Sequence, residues 1–359
     1  MGDMFLTRLR ALVVCLLIFL VITLVPFIYK FSMMPSPRSS NALQLASLEL
    51  DQATVKLLMK TEKRNVTNLK LPNCLEMPVW RQGISDWFDS RYTGTVAPVW
   101  TSHDKEISKK VLAWWLTLQG SKSTDMSSIS DQIFKLIPDV NPYKVGDPDR
   151  CLRCAVVGNS GNLRDSGYGE FIDQHDYILR LNVAMTKGFE KDVGNRTTHR
   201  FMYPESFIEV TGETNFVLLA FKPLDIEWLI SALTTGKIER TYMMVKKKIY
   251  VDPSKIQVFS PLFMHHIHTY WNEEHGRYPS TGMLGLVFAL HICDVVNVFG
   301  YGATAQGNWD HYYAKPLSPG TPEKKSAFRK TGVHDGDFEA DVIKKLEYIN
   351  KIKVHRGSR

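Results

Sequence analysis

The sequence predicts an α/β chain, with one folded region on a mostly parallel sheet flanked by helices, preceded by an apolar anchor and a stem. Three observations predict this. From residue 74 onward, short apolar runs ending in Gly or Asn turns alternate with helix-like stretches. No Pro/Gly/Ser-rich linker interrupts 74–359, so that stretch reads as one unit able to bury about three quarters of its surface. An uncharged apolar run sits near the N-terminal end, followed by a weakly patterned polar segment.

Taken in order, the apolar run is Ala11–Ile28, eighteen residues without a charge. As a helix at about 1.5 Å per residue it spans roughly 27 Å, near the thickness of a thin bilayer. A cleaved signal peptide has a shorter apolar region and a small-x-small cleavage site, and Tyr29–Met34 offers none. The expectation is an uncleaved anchor over 11–29. Arg8 and Arg10 keep the tail 1–10 in the cytosol and send the rest into the secretory lumen. Residues 30–73 read as a stem, with one helix-like stretch at Ser47–Lys60. Asn65-Val66-Thr67 and Asn195-Arg196-Thr197 are glycosylation acceptors in that compartment.

Within 74–359 the expected strands are Ala155–Gly158, Tyr177–Asn182, Phe216–Phe221 and Val295–Phe299. The expected helices are Val111–Gln119, Asp225–Thr234, Gly282–Ile292 and Phe338–Ile349. Ligands of such sheets sit at the carboxyl ends of the strands. Asn159, Asn182 and Gly302 therefore share one rim.

Composition narrows the function classes. The chain has 359 residues, 44% hydrophobic and 23% charged, with Gly 23 and Pro 17. These values exclude a disordered polymer, a collagen-like chain and a long coiled coil. A mean hydropathy of −0.16 excludes a many-span membrane protein. The net charge of +7 is a mild excess that hints at an anionic ligand or a membrane surface. No Lys/Arg-rich arm suggests nucleic-acid binding, and Lys246-Lys247-Lys248 reads as a solvated face.

Cys15 falls in the anchor, leaving Cys74, Cys151, Cys154 and Cys293, which allow three pairings. Cys151-Leu152-Arg153-Cys154 also has the spacing of half a zinc site or of a redox pair. An oxidising lumen ranks structural disulfides first, then zinc, then thiol redox chemistry.

The chemistry-bearing groups come next. Gly158-Asn159-Ser160-Gly161-Asn162 follows a strand but is neither a dinucleotide fingerprint nor a P-loop. Its bland reading is a tight turn. Asn159 and Asn182 carry amides suited to base, ribose or sugar hydroxyls. Ser280 or Thr281 caps the apolar helix that follows Tyr278-Pro279, and its first amides suit a phosphate or carboxylate. His311 and His334 stand in polar, aromatic-rich segments, fitted for one general base and one anion ligand. His265, His266 and His268 match no metal spacing and read as surface or core. Asp335-Gly336-Asp337 invites a metal-binding reading, but an acidic turn opening a helix is the better one.

Four segments in order resemble the motifs of animal sialyltransferases. Cys154–Phe201, with CAVVGNSGNL, resembles the large sialylmotif, and Arg277–Gly302, with RYPSTGMLGLVFALHICDVVNVFGYG, the small one. His311-Tyr312-Tyr313 resembles motif III. His334 with Glu339 matches the very small motif. Ser85–Asp89, Trp114-Trp115, Tyr203–Ser206 and Phe328–Asp335 extend the likeness over about 74–359. In detail it is most similar to the β-galactoside α-2,3-sialyltransferases acting on Galβ1-3GalNAc.

The resemblance implies a variant nucleotide-sugar glycosyltransferase fold, Rossmann-like and single-domain. It implies a Golgi type II membrane protein whose luminal domain transfers sialic acid from CMP-sialic acid to O3 of a terminal galactose on glycoproteins or glycolipids. The transfer would invert configuration and use neither metal nor cofactor. Carried over by motif, His334 is the general base and His311 contacts the CMP phosphate. Asn159, Asn182, Ser280, Thr281, Gly282, Gly302 and Tyr242 are expected at the donor, and Gln119 and Tyr278 at the acceptor. Tyr242 and Tyr278 are each expected at the phosphate or acceptor. The family pairing is Cys154–Cys293, and Cys74–Cys151 fits a second disulfide. Chemistry agrees: an already stable leaving anion needs charge stabilisation more than a metal, and a sugar hydroxyl needs a positioned base.

The chain departs from the family pattern in places. Motif III continues as Tyr312-Tyr313-Ala314, with Asp310 where a second His is common, and the loop Lys315–Ser326 is longer than in close relatives. Two other readings compete. One is a metal-dependent transferase using Asp335 and Asp337. The other is a catalytically weak, membrane-tethered glycan-binding relative. Oligomeric state is left open, a homodimer included.

Overall fold

A computed structural model describes residues 69–357, apart from 75–77, 105–106, 122–124, 145–150, 211, 305–309 and 315–331. The expected tail, anchor, stem helix and sequon at Asn65 lie outside the described residues, as does the loop Lys315–Ser326 after motif III. Among the described residues no helix is long and apolar enough to cross a membrane.

The described chain opens with three helices. They are α1 (Asp86–Asp89), α2 (Lys109–Thr117) and α3 (Met126–Ile133), capped by Ser85, Ser108 and Asp125. The first strand, β1 (Arg153–Val157), is buried from Cys154 onward. After it come α4 (Gly169–Asp173), β2 (Tyr177–Leu181), α5 (Glu190–Val193), β3 (His199–Met202) and β4 (Asn215–Leu218). The C-terminal half holds α6 (Pro223–Leu233), β5 (Ile256–Val258), α7 (Pro261–His266), α8 (Thr281–Ile292), β6 (Val295–Phe299), α9 (Gly336–Tyr348) and β7 (Lys353–His355).

The seven strands form one sheet in the order β5-β4-β3-β2-β1-β6-β7, with every pairing parallel. Chain progression reverses between β1 and β6. That junction is the switch point, where parallel sheets open a crevice at the strand ends. Register brings Val157 beside both Arg180 and Phe299, so the loops after β1, β2 and β6 emerge side by side.

A parallel sheet requires cover on both faces. The larger core includes Trp100, Trp115, Trp228 and Trp271, all essentially inaccessible to solvent. α8 is apolar on all sides and buried from Met283 to Ile292, as expected of a helix laid across the middle of a sheet. A second cluster, around Ala155, Val157, Phe171 and Phe299, covers the other face.

Disulfides join Cys154 to Cys293 and Cys74 to Cys151. The first ties the central strand to the end of α8, and the second ties the N-terminal segment to the start of β1. Because Cys151 and Cys154 belong to different bridges, neither the zinc nor the redox reading of that spacing survives.

Most expected elements form with small boundary shifts. Phe216–Phe221 is the largest departure, because the strand ends at Leu218. The buried residues Leu219–Phe221 then turn toward α6.

Candidate active site

The loops at the switch point enclose a cleft of about 470 Å³. It collects every residue expected at the donor or acceptor: Gln119, Asn159, Asn182, Tyr242, Tyr278, Ser280, Thr281, Gly282, Gly302, His311 and His334. These come from segments spread over more than half of the described chain.

The β1 and β6 turns nearly touch. A Cβ on Gly158 would strike the Gly300 carbonyl, which is why that position is glycine. The adjacent amides face opposite demands. Asn159 donates Nδ2–H to the Leu181 carbonyl at 3.0 Å. Its Oδ1 is buried without a partner among the described residues. Asn182 sits in the left-handed region at φ 54, which asparagine tolerates. There its Oδ1 accepts from Ser206 Oγ at 2.9 Å. Asn159 therefore keeps an unpaired acceptor at the cleft wall, and Asn182 is left with its Nδ2 as a donor. A nucleoside offers both kinds of partner.

The N-terminus of α8 forms another wall. Ser280 caps the helix by accepting from the Met283 amide at 3.1 Å. Glu339, buried, accepts from Ser280 N at 2.7 Å, Ser280 Oγ at 2.5 Å and Asn272 Nδ2 at 3.1 Å. Burial raises its pKa, and these donors oppose the rise. The carboxylate thereby anchors the cap, leaving the helix dipole and first-turn amides at the cleft to meet an anion.

His334 lies on the loop before α9. Its Nδ1 is 2.8 Å from the Tyr278 carbonyl, and its ring meets the Tyr278 ring edge-on. A carbonyl only accepts, so neutral His334 carries its proton on Nδ1 and its lone pair on Nε2. Burial lowers its pKa below the ordinary value, with the Tyr278 bond opposing. The lowered pKa favours the neutral ring near neutral pH. Asp335 is already engaged: it caps α9 through the Phe338 amide at 3.1 Å and pairs with His275 at 3.0 Å. The acidic turn is a helix start, as expected. Among the described residues no three His, Cys, Asp or Glu side chains group as a cation site.

His311 is held through its backbone. It bridges to Ser160, while the Tyr312 amide donates to the Asn159 carbonyl at 3.0 Å. Arg164 grips the same segment, donating to the carbonyls of Tyr312 and His311, both at 2.7 Å, and pairing with Asp310 at 3.1 Å. Partial burial lowers the His311 pKa, and Asp310 opposes this. The unusual Asp310 is therefore accommodated as the counter-ion that docks this loop. Sequence reasoning passed over Arg164, Arg200 and Lys222, because a lone basic residue in a loop or strand carries no signature. Arg200 braces the Asn182 turn by donating to the carbonyls of Asn182 and Val183 at 3.0 and 2.8 Å.

The family model for glycosyltransferase family 29 (sialyltransferase) matches residues 99–351. The chain belongs to that sialyltransferase family. It is 51% identical over 275 residues to CMP-N-acetylneuraminate-beta-galactosamide-alpha-2,3-sialyltransferase 2 of Mus musculus, covering 76% of this chain and 77% of that one. It is 45% identical over 304 residues to the corresponding sialyltransferase 1 of Sus scrofa, covering 84% and 85%. The crystal structure of a mammalian sialyltransferase superposes with a TM-score of 0.71 at 42% identity, over 80% of this chain and all of that one. A second structure, of a mammalian sialyltransferase in complex with Gal-beta-1-3GalNAc-ortho-nitrophenol, gives 0.70 at 42% identity, over 79% and 98%.

Of the three histidines set aside on sequence grounds, His265 is half-buried and the other two pack into the core. His266 and His268 are buried, with His268 stacked on Trp114 and His266 against Phe263. Lys246, Lys247 and Lys248 are exposed, as expected.

Proposed function

We propose that this sialyltransferase moves sialic acid from CMP-sialic acid to O3 of a terminal galactose, with Galβ1-3GalNAc as the acceptor unit on glycoproteins or glycolipids. The observation that carries the reading is the meeting of His311, His334, both asparagine amides and the α8 N-terminus in one cleft of a family 29 fold.

The acceptor O3 attacks the anomeric carbon of sialic acid from the face opposite the phosphate. Its proton passes to His334 Nε2, and the anomeric C–O bond to phosphate breaks with its electron pair leaving on CMP. Configuration inverts. His311 and the α8 amides meet the outgoing phosphate charge, and Asn159 and Asn182 hold the nucleoside. Gly282 and Gly302 leave room for the ligand beside Tyr301. Tyr242 is assigned to the donor end and Gln119 and Tyr278 to the acceptor. No metal enters this scheme, since amides and an imidazole answer the leaving-group charge. An apolar anchor over 11–29 and luminal placement in the Golgi complete the reading.

The test is incubation of the chain with CMP-sialic acid and a panel of galactosides, with and without EDTA. Transfer to Galβ1-3GalNAc that resists EDTA and is reversed by an α-2,3-specific sialidase is expected. Nucleotide or glycan binding without turnover would mean a binding relative instead, and loss of transfer in EDTA would indicate a metal-dependent enzyme.

A further inference from the structure

We propose that Lys222 is a positioning residue for the sugar acceptor, one that holds the Gln119 side chain with its N–H₂ toward the cleft. The inference rests on the acceptor role assigned above to Gln119. Lys222 is only 5% exposed and stands immediately before α6. Its ammonium donates to Gln119 Oε1 at 2.6 Å across 103 residues of sequence. It also pairs with Asp225 at 2.7 Å and with Glu205 at 3.4 Å. Asp225 is itself pinned by the Phe221 amide at 2.9 Å.

An ammonium group has donors and no lone pair. Gln119 must therefore turn its oxygen to Lys222, which leaves its two N–H donors for the cleft. The acceptor group recognised there must offer a lone pair, as a sugar hydroxyl or ring oxygen does. The same ammonium lies 5.1 Å from the centre of the Tyr242 ring. Glu205 also accepts from Thr241, the neighbour of Tyr242. One buried cation thus couples two cleft residues from distant segments. A lysine serving only to neutralise Asp225 would need no bond to Gln119.

The experiment is steady-state kinetics with a Galβ1-3GalNAc glycoside, together with direct CMP binding, on Lys222→Met, Lys222→Arg, Gln119→Glu, Gln119→Ala and Lys222→Met/Gln119→Ala. Lys222→Met is expected to raise acceptor KM about tenfold, the scale of one lost hydrogen bond, while CMP affinity stays within twofold. Lys222→Arg keeps a cationic donor and recovers most of the loss. Gln119→Glu still accepts from Lys222 but has no N–H, so its KM rises as far as that of Gln119→Ala. The double variant is no worse than Gln119→Ala, because the lysine acts through the glutamine. Additive losses, equal damage to donor and acceptor, or a wild-type KM in Gln119→Glu would each overturn the proposal. If Lys222→Met does not fold, Lys222→Arg together with the comparison of Gln119→Glu with Gln119→Ala decides: an acceptor KM near normal in Lys222→Arg with Gln119→Glu as damaged as Gln119→Ala supports the proposal, and donor and acceptor damaged equally in Lys222→Arg overturns it. Absence of transfer by the unmodified chain would instead overturn the functional reading.

Discussion

The imidazole of His334 is oriented by the Tyr278 carbonyl and tuned by burial. The carbonyl fixes the tautomer with the lone pair on Nε2, and burial outweighs that bond's upward pull to favour the neutral ring. His334→Ala is expected to lower kcat by about 10²–10⁴-fold, with CMP affinity retained in calorimetry. Normal turnover would remove His334 as the base. The sign of the pH dependence follows from the lowered pKa. The competent form is unprotonated, so kcat/KM stays full at neutral pH and falls as pH drops through a value below 6.5. The asparagine pair makes a second residue-scale prediction. Asn182→Asp keeps the oxygen that Ser206 bonds but removes the donor, so donor KM rises about tenfold while acceptor KM moves little. These residue types were legible in the sequence. Their orientations were not, since an amide's direction is decided by distant partners such as Leu181 and Ser206.

At the scale of elements, the start of α8 depends on a carboxylate from another helix. Glu339, in the first turn of α9, bonds both the backbone and the side chain of Ser280. Glu339→Ala leaves those buried donors unsatisfied and is expected to destabilise the fold by about 3 kcal/mol. It should also weaken CMP binding, because the helix start loses its anchor. A thermal melt together with CMP titration checks both. An unchanged melting temperature would show that the cap holds without Glu339. Strands β1, β2 and β6 announced themselves as apolar runs ending in Gly or Asn turns. β3 (His-Arg-Phe-Met) did not. His199 and Arg200 break the apolar pattern, yet both are buried, Arg200 by bonding the carbonyls of the next turn. β5 and β7 span three residues each, too short for periodicity to mark.

For the whole molecule, the Cys154–Cys293 bridge closes 139 residues of chain across the central strand. Its loss is expected to cost about 2–5 kcal/mol, so Cys293→Ser should melt earlier; an unchanged melting temperature would refute a stabilising role. Acid stability is also a property of the whole fold. His175, His199 and His291 are buried, and desolvation lowers their pKa values to about 4, 3 and 4. Between those values and 6.5 the unfolded chain binds more protons. Stability is therefore present above pH 6.5 and is lost as pH falls, each group contributing a slope of up to about 1.4 kcal/mol per pH unit. Asp225 opposes this, since burial lifts its pKa to about 7 and the folded state then holds the extra proton. Three histidines outweigh it, so melting temperature should decline from pH 6.5 toward pH 4. A flat profile would contradict that balance.

By itself the sequence determined the α/β class, the family and the residue types gathered in the cleft, because strand periodicity, turn residues and motif order are local properties of a chain. Tertiary structure decided strand order, the reversal between β1 and β6 and the bracing of the site by Arg164, Arg200, Lys222 and Glu339, while the two disulfides it forms are those the family resemblance implied. Those depend on contacts between residues distant along the chain, where burial and hydrogen-bond satisfaction act on partners that no local pattern names.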